Sequence, residues 1–538
     1  MSSPITEPTQ STETERIINA CAKCLKRLTN NKGNQAACRD DQCSICLGAW
    51  SEEFSARLKA ALVEAVQPYG DLSDNQFSHK TAPPTIVLPA DLAYRFHVAS
   101  QSSSFKDTCS TSASRFGQDL KEYAKDTLSE TLKKIEGKNM VDTHPQCVKE
   151  EEQGHLSVHV FVTPVETVPR PLHMLPVQMR DKKARRRDYS SQGGHPISNL
   201  SLRLRNEGKV LWPMNRILEE TNLSEPKESE ERTLLSDVPT PTCPFEFHVV
   251  VWRRAFYVKA CYTKTRRDVS QTPFFVAEQG KRRKLGVTSV EEEILPAISN
   301  KCGGISTLNN DKTSDRLIFG MVKFHASGRE DLDVRMLLPD PDNLPDNAGR
   351  ITGRPFVCEI IDALRLPPVE SLSEIVNEIN HTTADDCEPE PRSYGVNPLG
   401  VCISPDFNFV PAKSFANLQA ETENKVKYYG CLCWSKDPLP DQDKLSSRLG
   451  TFPLELQQRT PIRVLHRRNN VIRVRHVLTC KANRIDDHYF RLHISTDAGT
   501  YVKEFVHGDL GRTIPSVGLL LGCKTDILDL DCEGIHAS

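Results

Sequence analysis

The sequence predicts a mixed α+β protein made of two dissimilar parts, and three observations carry that prediction. Phe54, Leu58, Leu62 and Val66 recur every four residues, which is the stripe of an amphipathic helix. Leu156, Val158, Val160 and Val162 alternate with mostly polar neighbours, the pattern of a half-buried strand. From Phe245 onward the chain is richer in strand-like runs, such as Phe245–Trp252 and Tyr489–Ser495, whereas a cysteine-rich stretch lies near its start.

Length and composition bound the rest. At about 150 residues per domain, 538 residues give a prior of three or four domains. A hydrophobic fraction of 38% with 26% charged residues is enough apolar material for real cores. The 69 basic and 71 acidic residues leave a net charge of -2, which excludes a uniformly basic coat but not a local basic face. No run approaches the roughly 18 apolar residues of a membrane span, and the N-terminus has no apolar signal core. The 18 cysteines are therefore expected to be reduced thiols with one metal cluster among them, in a nuclear or cytoplasmic protein.

The expected organisation is a disordered tail over 1–17, a first region over 18–250 and a second over 251–538. Residues 74–87 break the helical pattern with polar residues and a Pro-Pro pair. Arg180–Arg187 holds six basic side chains and Glu219–Arg232 six glutamates, and both read as solvated loops. Linker-like inserts are expected near 338–352 and 380–400.

Cys21-Ala-Lys-Cys24 and Cys43-Ser-Ile-Cys46 are separated by 18 residues. Each pair places two thiolates on one side of a tight turn, so together they supply the four soft ligands of a closed tetrahedral zinc site. Such a site leaves no open position and is structural. Cys38, between the pairs, is an alternative ligand, and a redox pair or ordinary thiols are the weaker readings.

The densest polar segment is Ser327–Met336. It reads as a glycine turn followed by a strand whose Asp333 and Arg335 share a face. Asp331, just after the turn, is where a reactive carboxylate would project into a cleft, and a solvated turn is the bland alternative. Residues 459–475 carry six arginines and no acid, interleaved with Ile462, Val464, Leu465, Val471, Ile472 and Val474. That is a ribbon with an apolar side and a cationic side suited to phosphate contact. Trp252-Arg-Arg254 and Lys281–Lys284 extend the same character.

With these motifs the chain resembles a family, the archaeal and eukaryotic stand-alone tRNA pseudouridine synthases that act on the T-loop and carry an N-terminal zinc-containing THUMP domain. The resemblance lies in Gly328–Arg335, Gly353–Phe356, Gln271–Pro273, Lys427–Tyr429, Arg459–Arg468 and Ala498–Thr513, which lie between residues 271 and 513 in the family's order. It implies a zinc-knuckle and THUMP-type RNA-binding region followed by a mixed-sheet pseudouridine synthase domain. It further implies Asp331 as the catalytic aspartate, Tyr429 as the tyrosine beside the target base, and Lys503 as the basic residue paired with that aspartate. The implied RNA contacts are Arg329, Arg335, Arg463, Arg467, Arg468 and Arg473, with Lys264 and Arg267 in a segment where Cys261 and Thr265 depart from the family's pattern.

The implied reaction breaks the uracil N1 to ribose C1' bond, turns the base and rejoins it through C5, at tRNA position 55 with 54 as a second site. No redox step or leaving phosphate is involved, so no catalytic cofactor is expected beside the structural zinc. An aspartate stays ionised near neutral pH, and a nearby lysine favours its charged form further. The expected partners are tRNA and other structured RNA, the expected state is a monomer, and no membrane is involved. The alternative is a non-catalytic structured-RNA-binding protein, for example in small-RNA processing.

Overall fold

A computed structural model describes residues 18–30, 36–69, 81–102, 104–135, 153–165, 204, 234–235, 243–278, 281–302, 321–343, 350–381, 392–415, 417–418, 425–466 and 468–536. The expected tail over 1–17, the basic run 180–187, the acidic run 219–232, Arg467 and the middle of both inserts lie outside the described residues. Two compact units are formed, one from 1–75, 79–139 and 156–252, the other from 76–78, 140–155 and 253–538.

The first unit begins with α1 (Ala22–Thr29) and α2 (Glu52–Val66). Ser51 caps α2 by accepting from the Phe54 amide, and Glu52 and Glu53 follow in the first turn, where the helix dipole favours negative charge. Phe54, Leu58, Leu62 and Val66 are all buried, as their four-residue spacing predicts. Next come β1 (Thr85–Val87), α3 (Ala90–Ser100), α4 (Ala113–Ile135), β2 (Leu156–Pro164) and β3 (Phe245–Arg253).

The three strands form one sheet in the order β1-β2-β3. Two expectations change here. Thr85–Val87, placed in an irregular stretch by its Pro-Pro neighbour, pairs in parallel with β2. The central strand β2 is buried along both faces rather than one, with Ser157, Phe161 and Thr163 as enclosed as the alternating Leu and Val residues. Its polar neighbours are small enough to be covered, so alternation alone misreads its exposure.

Among the described residues the second unit holds a 13-stranded mixed sheet and two separate two-stranded ribbons. Its early strands are β4 (Phe256–Lys264), two short ribbons made by β5 (Val269–Ser270) with β8 (Thr288–Ser289) and β6 (Phe274–Glu278) with β7 (Lys281–Leu285), and β9 (Met321–Ala326). Then follow β10 (Arg335–Met336), β11 (Ile351–Thr352), β12 (Arg354–Ile361), β13 (Val401–Ile403) and β14 (Asn408–Val410). The last set is β15 (Lys427–Ser435), β16 (Leu454–Arg459), β17 (Ile472–Arg484), β18 (Tyr489–Thr496), β19 (Thr513–Ile514) and β20 (Thr525–His536).

The main path runs β19-β16-β17-β18-β15-β20-β10-β4-β12-β9. Two apolar cores pack against it. One gathers β4, β12, α5 (Val290–Lys301) and α6 (Ser371–Asn380); the other gathers β15, β18, α7 (Gln442–Arg448), α8 (Val502–His507) and α9 (Val517–Leu521). Tyr429 packs against both. Among the described residues no helix is long and apolar enough to cross a membrane.

Because the α2 stripe is the enclosed face of the first unit, Leu58→Ala is expected to cost that unit about 3 kcal/mol through lost burial and a residual cavity. Native-state hydrogen exchange of the α2 amides measures this directly.

Candidate active site

Asp331 sits on a turn, not on the strand expected after Gly328. Gly328 holds φ +80°, a conformation that favours glycine, and the Val334 amide donates to the Asp331 carbonyl to close the turn. Regular pairing resumes only at Arg335–Met336. Asp333 and Arg335 consequently serve different partners: Asp333 meets Lys503, and Arg335 pairs with Asp531, its register neighbour on β20.

The turn is pinned from beneath by buried polar groups. Glu330 accepts from the Tyr262 hydroxyl at 2.7 and 2.9 Å and forms a 2.7 Å ion pair with Arg354, each of those charged side chains being 2% exposed. Gln271 donates to the Tyr262 oxygen at 2.9 Å and to the Gly328 carbonyl at 3.0 Å. Tyr262 and Arg354 are cross-strand neighbours on β4 and β12, and a Cβ on Gly353 would collide with the Tyr262 carbonyl. That approach accounts for the glycine of the Gly353-Arg-Pro-Phe356 motif.

Lys264, expected at an RNA surface, is wholly buried. Its amine donates to the carbonyls of Val269 (2.6 Å), Leu332 (2.9 Å) and Asp331 (3.4 Å), so it fastens the same turn from inside.

Above the turn lies an open cavity of about 900 Å³, lined among others by Asp331, Tyr429, Arg463, Arg468, Tyr501 and Lys503. The Asp331 carboxylate is 42% exposed and meets two cations. Arg463, expected at phosphate, makes the shorter contact at 3.0 Å, while Lys503 stands 3.8 Å away and 2.8 Å from Asp333. Arg463 is itself held at 2.8 Å by Glu504 on α8, whose side chain is 2% exposed. Burial lowers the Arg463 pKa, but the pairs with Glu504 and Asp331 outweigh it and the net shift is upward. Tyr429 lines the cavity, and burial raises its phenol pKa, so the ring stays neutral.

The remaining expected RNA contacts divide into two groups. Arg329 and Arg468 are exposed and line the cavity, and Arg473 is half-buried with a 3.0 Å bond to the Thr460 hydroxyl. Arg267 and Arg335 instead converge on the buried Asp531, with bonds of 2.7–2.8 Å, and are structural cations. The ribbon's apolar side also differs from expectation: Ile472 and Val474 are 57% and 48% exposed, because β18 pairs with β17 only from Val477 onward.

In the first unit the sulfurs of Cys21, Cys24, Cys43 and Cys46 are buried and lie within 4.8 Å of one another, with Cys21 and Cys46 at 3.9 Å. Zn–S bonds of about 2.3 Å give a tetrahedron with edges of about 3.8 Å, so these four soft donors fit the metal. Cys38 is half-buried and outside the set. The cysteine backbone is organised for this: the Ser44 amide donates to the Asn19 carbonyl and the Cys38 amide to that of Ala20, folding the second knuckle onto the first.

An accessible carboxylate under two cations thus lies at an open cavity whose charged lining is mainly cationic. Residues 257–536 match the family model described as "Pus10, C-terminal", which is more than half of the chain, and the chain belongs to that family. It is 32% identical over 282 residues to human tRNA pseudouridine synthase Pus10, covering 52% of this chain and 44% of that one. It is 33% identical over 249 residues to tRNA pseudouridine synthase Pus10 of Methanothermobacter marburgensis, covering 46% and 50%. The chain thus spans about half the length of these curated relatives. A solved H/ACA RNP bound to a substrate RNA containing 2'-deoxyuridine aligns at 14% identity over 52% of this chain and 46% of that one, with a TM-score of 0.23, too low to carry an argument.

Removing Arg354 would strand Glu330 as an uncompensated buried charge. Arg354→Ala is therefore expected to cost about 3–5 kcal/mol, and the paired Glu330→Leu, Arg354→Met change much less. Urea unfolding of the two variants distinguishes them.

Proposed function

We propose that this chain isomerises uridine to pseudouridine in the T-loop of tRNA, at position 55 with 54 as a second site, and that Asp331 is the reactive carboxylate. The observation that carries this reading is the accessible Asp331 carboxylate held between Arg463 and Lys503 beside Tyr429, in a chain of the Pus10 family. Asp331 acts on the ribose–base bond as nucleophile or base, and both roles need it ionised. The uridine leaves its stack to reach the carboxylate, and the neutral Tyr429 ring replaces the stacking it loses. The chemistry moves one glycosidic bond and one proton within a single nucleotide, so the residues need no redox or group-carrying cofactor.

In this reading Arg329 and Arg468 grip tRNA phosphates, and Arg463 and Lys503 serve Asp331. The first unit, a THUMP-type module, holds the tRNA body by shape, since an A-form helix hides its base edges. Zinc on Cys21, Cys24, Cys43 and Cys46 would cross-link the two knuckles and supply structure only. The protein works as a monomer in the nucleus or cytoplasm.

Three outcomes follow. Asp331→Asn is expected to abolish tritium release from C5-labelled tRNA transcript while leaving tRNA affinity within a few-fold; undiminished release would remove Asp331 from the reaction. Arg468→Ala and Arg329→Ala are each expected to flatten the slope of log affinity against log salt by about 0.7–0.9, read in filter-binding titrations. One zinc per chain is expected by elemental analysis, with Cys43→Ser losing it and the first unit unfolding.

A further inference from the structure

Lys427 begins β15, two residues before Tyr429, so the two side chains leave the same face of the strand. It is 9% exposed and lines the cavity. Its amine makes no hydrogen bond or ion pair among the described residues. The contrast with Lys264 is direct, since that buried amine is satisfied by three carbonyls. The fold thus holds an ammonium at the cavity wall without a protein partner to offset its charge. Its position at the cavity wall beside the base-stacking tyrosine indicates that a ligand completes it.

Three other cations that line the cavity are already committed. Arg463 is shared by Asp331 and Glu504, Lys503 serves Asp333, and Arg354 is bound to Glu330. Glu330 in turn holds Tyr262 as well, so it has little left to offer Lys427.

We infer that Lys427 is a further catalytic residue, whose ammonium stabilises the uracil as the glycosidic bond breaks. This rests on the isomerase reading above. When N1–C1' cleaves, the bonding electron pair leaves with the base, and negative charge spreads over N1, O2 and O4. The base then turns, C5 bonds to C1', C5 gives up its proton and N1 takes one, so no atom is gained or lost. Whichever way Asp331 acts on the sugar, the departing uracil passes through this anionic state. A cation fixed in the cavity wall favours the anion far more than the neutral bound base, which is the condition for acceleration. Burial, reinforced by the like charge of Arg354, lowers the Lys427 pKa to about 8. The amine is therefore mainly cationic at neutral pH and loses its charge as pH rises through that value.

The test uses the full chain and an unmodified tRNA transcript in single turnover, with product read after nuclease digestion. Lys427→Met is expected to slow pseudouridine formation by about 100-fold, with tRNA affinity within about threefold and a melting temperature no lower than wild type. Lys427→Arg, which keeps the charge at every pH, is expected to recover most of that rate and to lose the alkaline decline above about pH 8. On a transcript carrying 5-fluorouridine, whose base leaves as a better-stabilised anion but whose C5 has no proton to give up, the reaction is read as loss of 5-fluorouridine rather than as pseudouridine, and the deficit of Lys427→Met is expected to shrink about tenfold. Wild-type rate in Lys427→Met, a deficit confined to affinity, a lower melting temperature, or an equal deficit on both transcripts would each overturn the inference. A wild type that makes no pseudouridine fells the isomerase reading itself, a result distinct from an active wild type matched by an active Lys427→Met.

Discussion

The site depends on one buried interaction, the ion pair of Glu330 with Arg354 completed by the Tyr262 hydroxyl. It ties the turn that carries Asp331 to two adjacent strands of the sheet, and it does so one residue away from the reactive carboxylate. A loop on its own would not hold a carboxylate to the fraction of an ångström that chemistry at a ribose carbon demands. Glu330 and Lys264 instead fasten the turn, the first through Tyr262 and Arg354 and the second along its carbonyls. The charges that stabilise this arrangement are fully enclosed, so loss of one partner is far more damaging than loss of both.

A second layer of positioning comes from α8. Its first turn delivers Lys503 to the Asp331–Asp333 turn and Glu504 to Arg463, so one short helix sets both cations above the carboxylate. The site lies where the two apolar cores of the sheet meet at Tyr429. Packing from both sides fixes that ring, which makes it a suitable platform for an extruded base. Lys427 on the same strand face adds a charge that the fold leaves unneutralised, a local cost of the kind that functional sites retain.

Much of this was legible in the sequence, and the reasons differ from residue to residue. The α2 stripe and the two cysteine pairs are local patterns, so spacing alone placed Phe54–Val66 in a core and four sulfurs within 4.8 Å. Asp331 was marked by the polar density around Gly328. What spacing cannot carry is the partner of a charge. Arg335 lies 196 residues from Asp531, and an arginine that meets a carboxylate looks the same in sequence as one that meets a phosphate. Lys264, Arg267 and Arg335, expected at RNA, have protein carbonyls and carboxylates as their partners. Arg463 was expected at RNA and is found on Asp331, with Lys503 displaced toward Asp333. Glu330 and Glu504 stood inside recognised motifs, but nothing local marked them as buried.

The proposed T-loop isomerisation, by a carboxylate on a turn held by Glu330 and Arg354, moves uracil from N1 to C5 linkage without a cofactor. Nucleotide-resolution mapping of an unmodified tRNA transcript, after incubation with wild-type protein alone, tests it most directly. Pseudouridine is expected at position 55, with 54 as the only other modified site, in buffer that contains no added cofactor. Pseudouridine confined to another arm, or its absence from a transcript that the protein demonstrably binds, would contradict it.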